Sequence, residues 1–443
     1  MIRYHKSKVR SAFPVGLKMF VGIALVLLFA PMTSYAFSLS GQSDTILRIL
    51  DTTENKTQVP LYQYLNLSLT DLGHDGSVGF YFGGWGRDDL GARTLNRDTN
   101  GDLQYAYMTY RPKQNNMVLS LGRQFIAEGI ATERIDGLYA RTDLPAGFGV
   151  SVFAGSPVAT ATNFNIGGDV VYGGRVFQTM PKYYTIGISV LKDDDKIGRL
   201  REEEGIDLWL HPCKYVEEVG RSSYNSITGG FMENAYTTTI TPLERVKITF
   251  DLSQVNYKDY FYNNSTTSAL SLVNGVFGAI NPAESVLSLG GSIAFTPLKG
   301  LTLVADYKNY HYDVMGDANY YGGKVAYSLP NNFSAGVSIH RMDGNVEKLR
   351  YYECRAYASK KIGKLDLTVD FFDVDFDSII NGIHNTASVT GAAAYDITKQ
   401  LRISADVDCA KTAEFNNQVS GFLKVTYMFD NKFDSKEGAK SEK

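Results

Sequence analysis

Residues 285–312 read SVLSLGGSIAFTPLKGLTLVADYKNYHY. Leu287, Leu289, Ile293 and Phe295 alternate with Ser288, Gly290, Ser292 and Thr296. Pro297-Leu298-Lys299-Gly300 follows, and then Leu301, Leu303, Ala305 and Tyr307 alternate with Thr302, Asp306 and Lys308. A period of two is the side-chain repeat of a strand, because successive Cβ atoms point to opposite faces. Two such runs joined by a short Pro- and Gly-containing segment predict a hairpin of half-apolar strands.

The same unit recurs on both sides of this stretch. Val246, Ile248, Phe250 and Leu252 oppose Lys247, Thr249, Asp251 and Ser253. Leu401, Ile403, Ala405 and Val407 oppose Arg402, Ser404, Asp406 and Asp408, and Val419, Leu423, Val425, Tyr427 and Phe429 close the series. The connections alternate in length. Short ones, such as Gly73–Gly76, Pro112–Asn116, Leu144–Gly147 and Pro297–Gly300, lie between long polar ones such as Arg87–Asp102, Ser156–Gly168, Lys192–Glu204 and Tyr260–Glu284. Tight turns alternating with long loops are the mark of a transmembrane barrel. The predicted fold is all-β, a transmembrane antiparallel up-and-down β-barrel with short periplasmic turns and long extracellular loops. The count is 22 strands, or 20 if a pair is lost in the weak stretch Ile206–Asn234. A soluble propeller would need a repeat of about 40–50 residues, and the chain has none.

Composition agrees once it is averaged over two faces. The mean hydropathy of −0.17 suits a soluble chain, but in a barrel only alternate strand residues meet lipid. Tyr, at 29, and Gly, at 42, are abundant. Phe80 and Phe82, Tyr105 and Tyr107, and Tyr427 and Phe429 are expected in interfacial girdles. Residues 1–36 carry Arg3, Lys6, Lys8, Arg10 and Lys18, an apolar run Met19–Ala30 and the small residues Ser34 and Ala36. That is a secretory signal peptide, cleaved before Phe37. The domain reading is therefore 1–36 signal peptide, 37–429 barrel and 430–443 charged periplasmic tail. Without those five bases a chain of net charge −3 becomes more acidic, which disfavours nucleic acid as a partner. Cys213, Cys354 and Cys409 make no disulfide framework, and without C-x-x-C-H the chain attaches no c-type haem itself. No hydrolase, phosphate-loop or dinucleotide motif occurs, so an enzyme is not expected, nor a cofactor.

Strand parity assigns a pore-lining set: Arg175, Lys247, Asp251, Asp306, Lys308, Lys324, Glu353, Arg355, Asp366, Asp370, Arg402, Asp406, Asp408 and Lys424. Bases and acids balance, so cross-strand ion pairs and weak charge selectivity are expected in place of a single-sign ring. Asp373, Asp375 and Asp377 mimic the start of a calcium loop, but Ser378 and His384 stand where that loop wants Gly and Glu. Asp98, Asn100 and Asp102 are a similar fragment, and no metal site is expected at either. A β-bulge near Phe371 would keep Asp373 and Asp375 on the inner face.

With the leader, the alternating connections and a last strand ending in an aromatic, Val419–Phe429, the chain resembles porin-like outer-membrane channels. The charged residues after Phe429 depart from that pattern. Leu119–Gly155 (LSLGRQFIAEGIATERIDGLYARTDLPAGFGVSVFAG) is similar to porin-type channels of metal-reducing bacteria, some of which sheathe multihaem cytochromes in a porin–cytochrome conduit. The resemblance implies a Gram-negative outer-membrane channel for passive diffusion of small hydrophilic solutes, with the conduit sheath as the alternative. Strand signals start close to Phe37, which leaves no room for a plug domain, so a 22-strand bore must be narrowed otherwise. The candidate is the loop 260–284, through Leu270, Leu272, Val273, Val276, Phe277 and Ile280. The sequence leaves monomer or trimer open.

Overall fold

The computed structural model describes residues 37–433, apart from 52–56, 74, 92–98, 159–168, 196–197, 262–282, 331, 414 and 416. The expected signal peptide and residues 434–443 lie outside the described residues, as does the loop carrying Leu270, Leu272, Val273, Val276, Phe277 and Ile280.

The strands are β1 (Phe37–Asp51), β2 (Thr57–Gln58), β3 (Pro60–Leu72), β4 (Val78–Asp89), β5 (Thr99–Tyr110), β6 (Met117–Glu128), β7 (Ala131–Asp143) and β8 (Phe148–Pro157). Then come β9 (Val170–Met180), β10 (Tyr184–Asp194), β11 (Arg199–Cys213), β12 (Val216–Asn225), β13 (Gly230–Leu243), β14 (Val246–Asn256), β15 (Ser285–Leu298) and β16 (Leu301–Tyr312). The last are β17 (Gly316–Leu329), β18 (Phe333–Gly344), β19 (Arg350–Ile362), β20 (Leu365–Ile380), β21 (Ile383–Asp396), β22 (Leu401–Lys411) and β23 (Gln418–Phe433).

Each long strand pairs antiparallel with its chain neighbours. The sheet closes where β1 meets β23, from Phe37↔Phe433 to Ile49↔Gly421, while its other edge meets β3. β2 is a two-residue addition to the end of β1. The result is a closed 22-strand antiparallel barrel with one short extra strand. Closure leaves no open sheet edge, which is what a backbone needs in hydrocarbon.

Register fixes the two faces, since directly opposed residues share one. Ile188↔Ile206, Phe250↔Gly291, Ile293↔Ala305, Val325↔Val337 and Ile403↔Val425 belong to one continuous apolar face of exposed residues. Side chains of the opposite parity are mostly polar or charged, with apolar exceptions such as Phe153, Leu191 and Phe372. The apolar face is the outer one, because a hydrocarbon solvent rejects charge.

Three features differ from the sequence reading. The long–short alternation is incomplete: β6–β7 and β20–β21 are joined at the loop end by the two-residue connections Gly129–Ile130 and Asn381–Gly382. Both residues of the second connection have positive φ (51° and 83°), as a tight hairpin of this hand requires. Lys192–Glu204 is mostly strand, because β10 and β11 pair up to Asp194↔Arg199 and Lys192 meets Glu202 at 2.6 Å. The last strand runs on to Phe433, whose ring stacks on Phe37 at 4.5 Å, so Asp430–Phe433 belongs to the wall. The stretch Ile206–Asn234, by contrast, holds its full set of strands, as the count of 22 expects, so the alternative of 20 falls away. Its pattern is weak because Glu218, Ser222 and Asn234 take outer positions while Val219 faces in.

Candidate functional site: the lumen and an inward hairpin

All fourteen residues assigned to the lumen from parity share the face opposite the exposed apolar residues. Several form the expected ion pairs. Arg355 meets Asp370 at 2.9 Å, and Arg402 meets Asp366 at 2.6 Å and Asp396 at 2.8 Å. Lys424 reaches Asp44 across the closing seam at 3.2 Å. Asp306 faces His340 Nε2 at 3.1 Å, and Glu353 stands directly opposite His340 in the register. Others take neutral partners. Thr237 donates to Asp251 at 2.8 Å, Thr390 to Asp408 at 2.6 Å and the Phe422 amide to Asp406 at 3.1 Å. The Lys324 ammonium stands 5.6 Å from the centroid of the Tyr357 ring. Lys247 and Lys308 share this face, opposite Ala294 and Tyr320.

Two expectations of parity are overturned. β19 and β20 pair without interruption from Tyr351↔Phe376 to Ile362↔Leu365, so there is no bulge at Phe371. Asp373 and Asp375 therefore share the outer parity of Val369 and Phe371, and Phe372, Val374 and Phe376 face in. Each carboxylate is tied near the loop end: Asp373 to Asn385 at 3.3 Å, Asp375 to His384 at 2.8 Å and Asp377 to Arg341 at 2.6 Å. Tyr105 and Tyr107 are not girdle residues. Met108 and Tyr110 hold the outer parity of β5, which turns Tyr105 and Tyr107 into the lumen.

Among the described residues, an inward element comes from a stretch the parity count treats as ordinary wall. β5 pairs with β6 only from Tyr110↔Leu119 to Ala106↔Arg123. β6 and β7 stay paired beyond that, up to Glu128↔Ala131, whereas β7 pairs with β8 only from Ile135↔Pro157 downward. The tip Gln124–Arg134 thus leaves the wall as a hairpin, its last tie to the β8 side running from the Val158 amide to the Arg134 carbonyl at 2.8 Å.

Three glycines stand side by side at the bend, Gly122↔Gly137 and Gly137↔Gly155. Gly122 has φ 125°, a conformation that side-chain-bearing residues rarely adopt, and a Cβ there would strike the Ala106 carbonyl. A Cβ at Gly137 would strike the carbonyl of Ala154. Where β6 departs, strand groups lose their ladder partners and arginines replace them. Arg123 donates to the Leu103 carbonyl at 3.1 Å and to both oxygens of Asp136 at 2.7 Å, and Arg134 reaches Asp102 at 2.5 Å.

The tip folds onto the inner wall of β8–β11. Ile126, Ala131 and Ile135 bury against Phe153, Val171 and Leu191 in a small dry core. Fully burying a side chain of this size contributes about 1.5–3 kcal/mol, so the cluster holds the tip down. The Ile130 amide donates to Ser189 Oγ at 3.0 Å, and Ile130 occupies the space a side chain at Gly205 would need. Charges line the edge of the contact. Glu133 meets Arg201 at 2.6 Å, Arg201 also holds Glu203 at 3.0 Å, and the Tyr139 hydroxyl donates to Glu128 at 2.5 Å. Arg175 clamps Asp207, with Nε at 3.0 Å from one oxygen, and lies 3.7 Å from Glu128. Among the described residues the inner face is asymmetric: one wall carries a buried apolar cluster with ion pairs at its edge, and another carries exposed pairs such as Arg355–Asp370.

Comparison with known proteins bears on the fold. No family model matches the chain, and no curated protein sequence does. Solved structures match at high probability. The copper transporter OprC superposes with a TM-score of 0.56 at 10% identity, over 90% of this chain and 81% of that one. The fold is that of a bacterial outer-membrane barrel. A variant of the ferric enterobactin receptor PfeA and the siderophore receptor PirA, both from Pseudomonas aeruginosa, share this outer-membrane barrel. Their TM-scores are 0.54 and 0.52 at 10% and 12% identity, again over 90% of this chain and 81% of theirs. At such identity the likeness is one of fold.

Proposed function

We propose that the protein is a channel of the bacterial outer membrane, exported through a cleaved signal peptide. Small hydrophilic solutes and ions diffuse through it passively, with weak charge selectivity. The observation that carries this reading is the state of the inner wall opposite the hairpin. Arg355 there is paired with Asp370, yet its side chain remains 57% exposed. Paired bases and acids that stay wet present no net ring of either sign, so both cations and anions can pass. The hairpin tip supports the reading as a constriction, since it lies against one wall without crossing the lumen. Single-channel recording of the purified protein in a planar bilayer tests it. Ohmic steps with a cation-to-anion permeability ratio near one are expected, and absence of current would overturn the proposal.

A second reading rests on width. The tip covers strands β8–β11 of a 22-strand wall, and a barrel of that size can hold a protein partner. The barrel would then sheathe a multihaem c-type cytochrome that carries electrons across the membrane. Purification from the native membrane separates the readings, because a sheath carries haem-staining protein with it and a porin does not.

A further inference from the structure

One lumen wall is lined by a series of aromatic rings. Tyr62 and Tyr64 on β3, Tyr81 and Trp85 on β4, and Tyr105 and Tyr107 on β5 all face inward. They make successive ring contacts along the wall. Tyr81 stacks on Tyr107 at 5.1 Å, and Tyr107 lies 6.0 Å from Tyr105. Trp85 lies 6.3 Å from Tyr64 and 6.2 Å from Tyr62, whose ring carries the Arg87 guanidinium at 5.6 Å. Gly83 joins the two groups: it has no side chain, so the Tyr105 ring lies across it and the Tyr105 hydroxyl reaches Asn66 at 3.2 Å. From Tyr62 to the level of Tyr81, opposite Ser68, is six residues of β3, about 20 Å at the strand rise. A hydrogen-bonding row runs beside the rings on β1. Asp44 stands opposite Tyr64 and Gln42 opposite Asn66, with Asp44 also held by Thr426 at 2.6 Å.

We propose that this ladder is a stacking track for carbohydrate. The proposal rests on the channel reading and names a solute class for it. A pyranose offers a C–H face that packs on an aromatic ring and a rim of hydroxyls that needs donors and acceptors. The ladder supplies rings in series, and the tyrosine hydroxyls, Asn66, Gln42 and Asp44 supply the polar rim. A wall selected only for stiffness has no need of lumen-facing rings in continuous series. A simple ion pore would gain nothing from them. The track guides a sugar along one side of the bore, next to the seam from which the hairpin departs.

The test is block of single-channel current by maltohexaose, with L-tryptophan as the aromatic comparison. Resolved sugar-dependent closures are expected for the unaltered protein. Trp85→Ala and Tyr105→Ala should each shorten the blocked time about tenfold with open-channel conductance retained, and Tyr105→Phe should stay close to the parent. The proposal is overturned if sugar gives no block in a conducting channel, if the alanine variants block as well as the parent, or if only L-tryptophan blocks. If the protein carries no current, the channel reading fails by itself. The track is then tested by fluorescence of the Trp209→Phe variant, where Trp85 is the remaining tryptophan. Quenching or a spectral shift that saturates with maltohexaose supports the track, and a flat titration rejects it.

Discussion

Two ion pairs of the same chemistry sit on different inner walls of the barrel. Arg175–Asp207, near the hairpin tip, has side-chain exposures of 12% and 23%. Arg355–Asp370, on the open wall, has 57% and 27%. Both are guanidinium–carboxylate clamps between strands. The first lies under a lid of Ile130 and Gly129 and contacts a second acid, Glu128, whereas the second is bathed by the lumen. Water screens an exposed pair until it is worth little, while a covered pair becomes costly to break, because the partner left behind cannot be resolvated. The same residue pair is thus a fastening on one wall and part of a solvated surface on the other.

Removing the tip is the strongest way to break the contrast. Replacing Gln124–Arg134 by Asn-Gly should raise single-channel conductance roughly twofold or more, since it clears the inward element from the bore. Unchanged conductance would mean that the tip stands outside the ion path. Next, Arg175→Ala should cost about 3–5 kcal/mol, because Asp207 and Glu128 lose their shared base in a covered site. Denaturant unfolding in detergent, followed by near-UV circular dichroism, reads this. Phe153→Ala removes a ring from the dry core and should cost about 3 kcal/mol, with a rise in current noise as the tip loosens. Arg123→Ala leaves the Leu103 carbonyl without its donor and should cost about 1–3 kcal/mol, seen as faster proteolysis at the tip. The smallest effect belongs to the open wall. Arg355→Ala should change stability by less than about 1 kcal/mol and move the reversal potential slightly towards cations. If Arg355→Ala cost as much as Arg175→Ala, the distinction between the walls would collapse.

Much of the wall was legible in the sequence, because alternation of apolar and polar residues reports directly on which face meets lipid. Parity therefore located residues as far apart as Lys247 and Asp408 on one face. It erred at Asp373 and Asp375, where a bulge was invoked to keep acids inside. Near a strand end an acid can face outward without entering hydrocarbon, and each finds a polar partner there. The hairpin was not legible from periodicity, since a strand pair that leaves the wall keeps its period of two. Its signals were of another kind. Ile126, Ile135, Phe153, Val171 and Leu191 occupy inner positions that other strands give to Asp, Lys or Ser, and Gly122, Gly137 and Gly155 recur at inner positions of three successive strands. The aromatic ladder was visible as tyrosine abundance, but Tyr105 and Tyr107 were assigned to the lipid boundary. The bulge where Gly83↔Tyr105 gives way to Gly84↔Leu103 obscures the parity of that strand.

The seam between β1 and β23 joins residues nearly four hundred positions apart, as in Phe37↔Phe433. Every other long strand pairs with a neighbour already made. The first strand must wait for the last. Until β23 arrives, a growing sheet offers two rows of unpaired amides and carbonyls, a state that lipid does not tolerate. A chain cut before Gln418 would keep the whole lumen lining except its final strand and still have no stable place in a bilayer. Synthesis and insertion are thereby uncoupled: the wall can be threaded piecemeal, but membrane residence is granted only with the final strand.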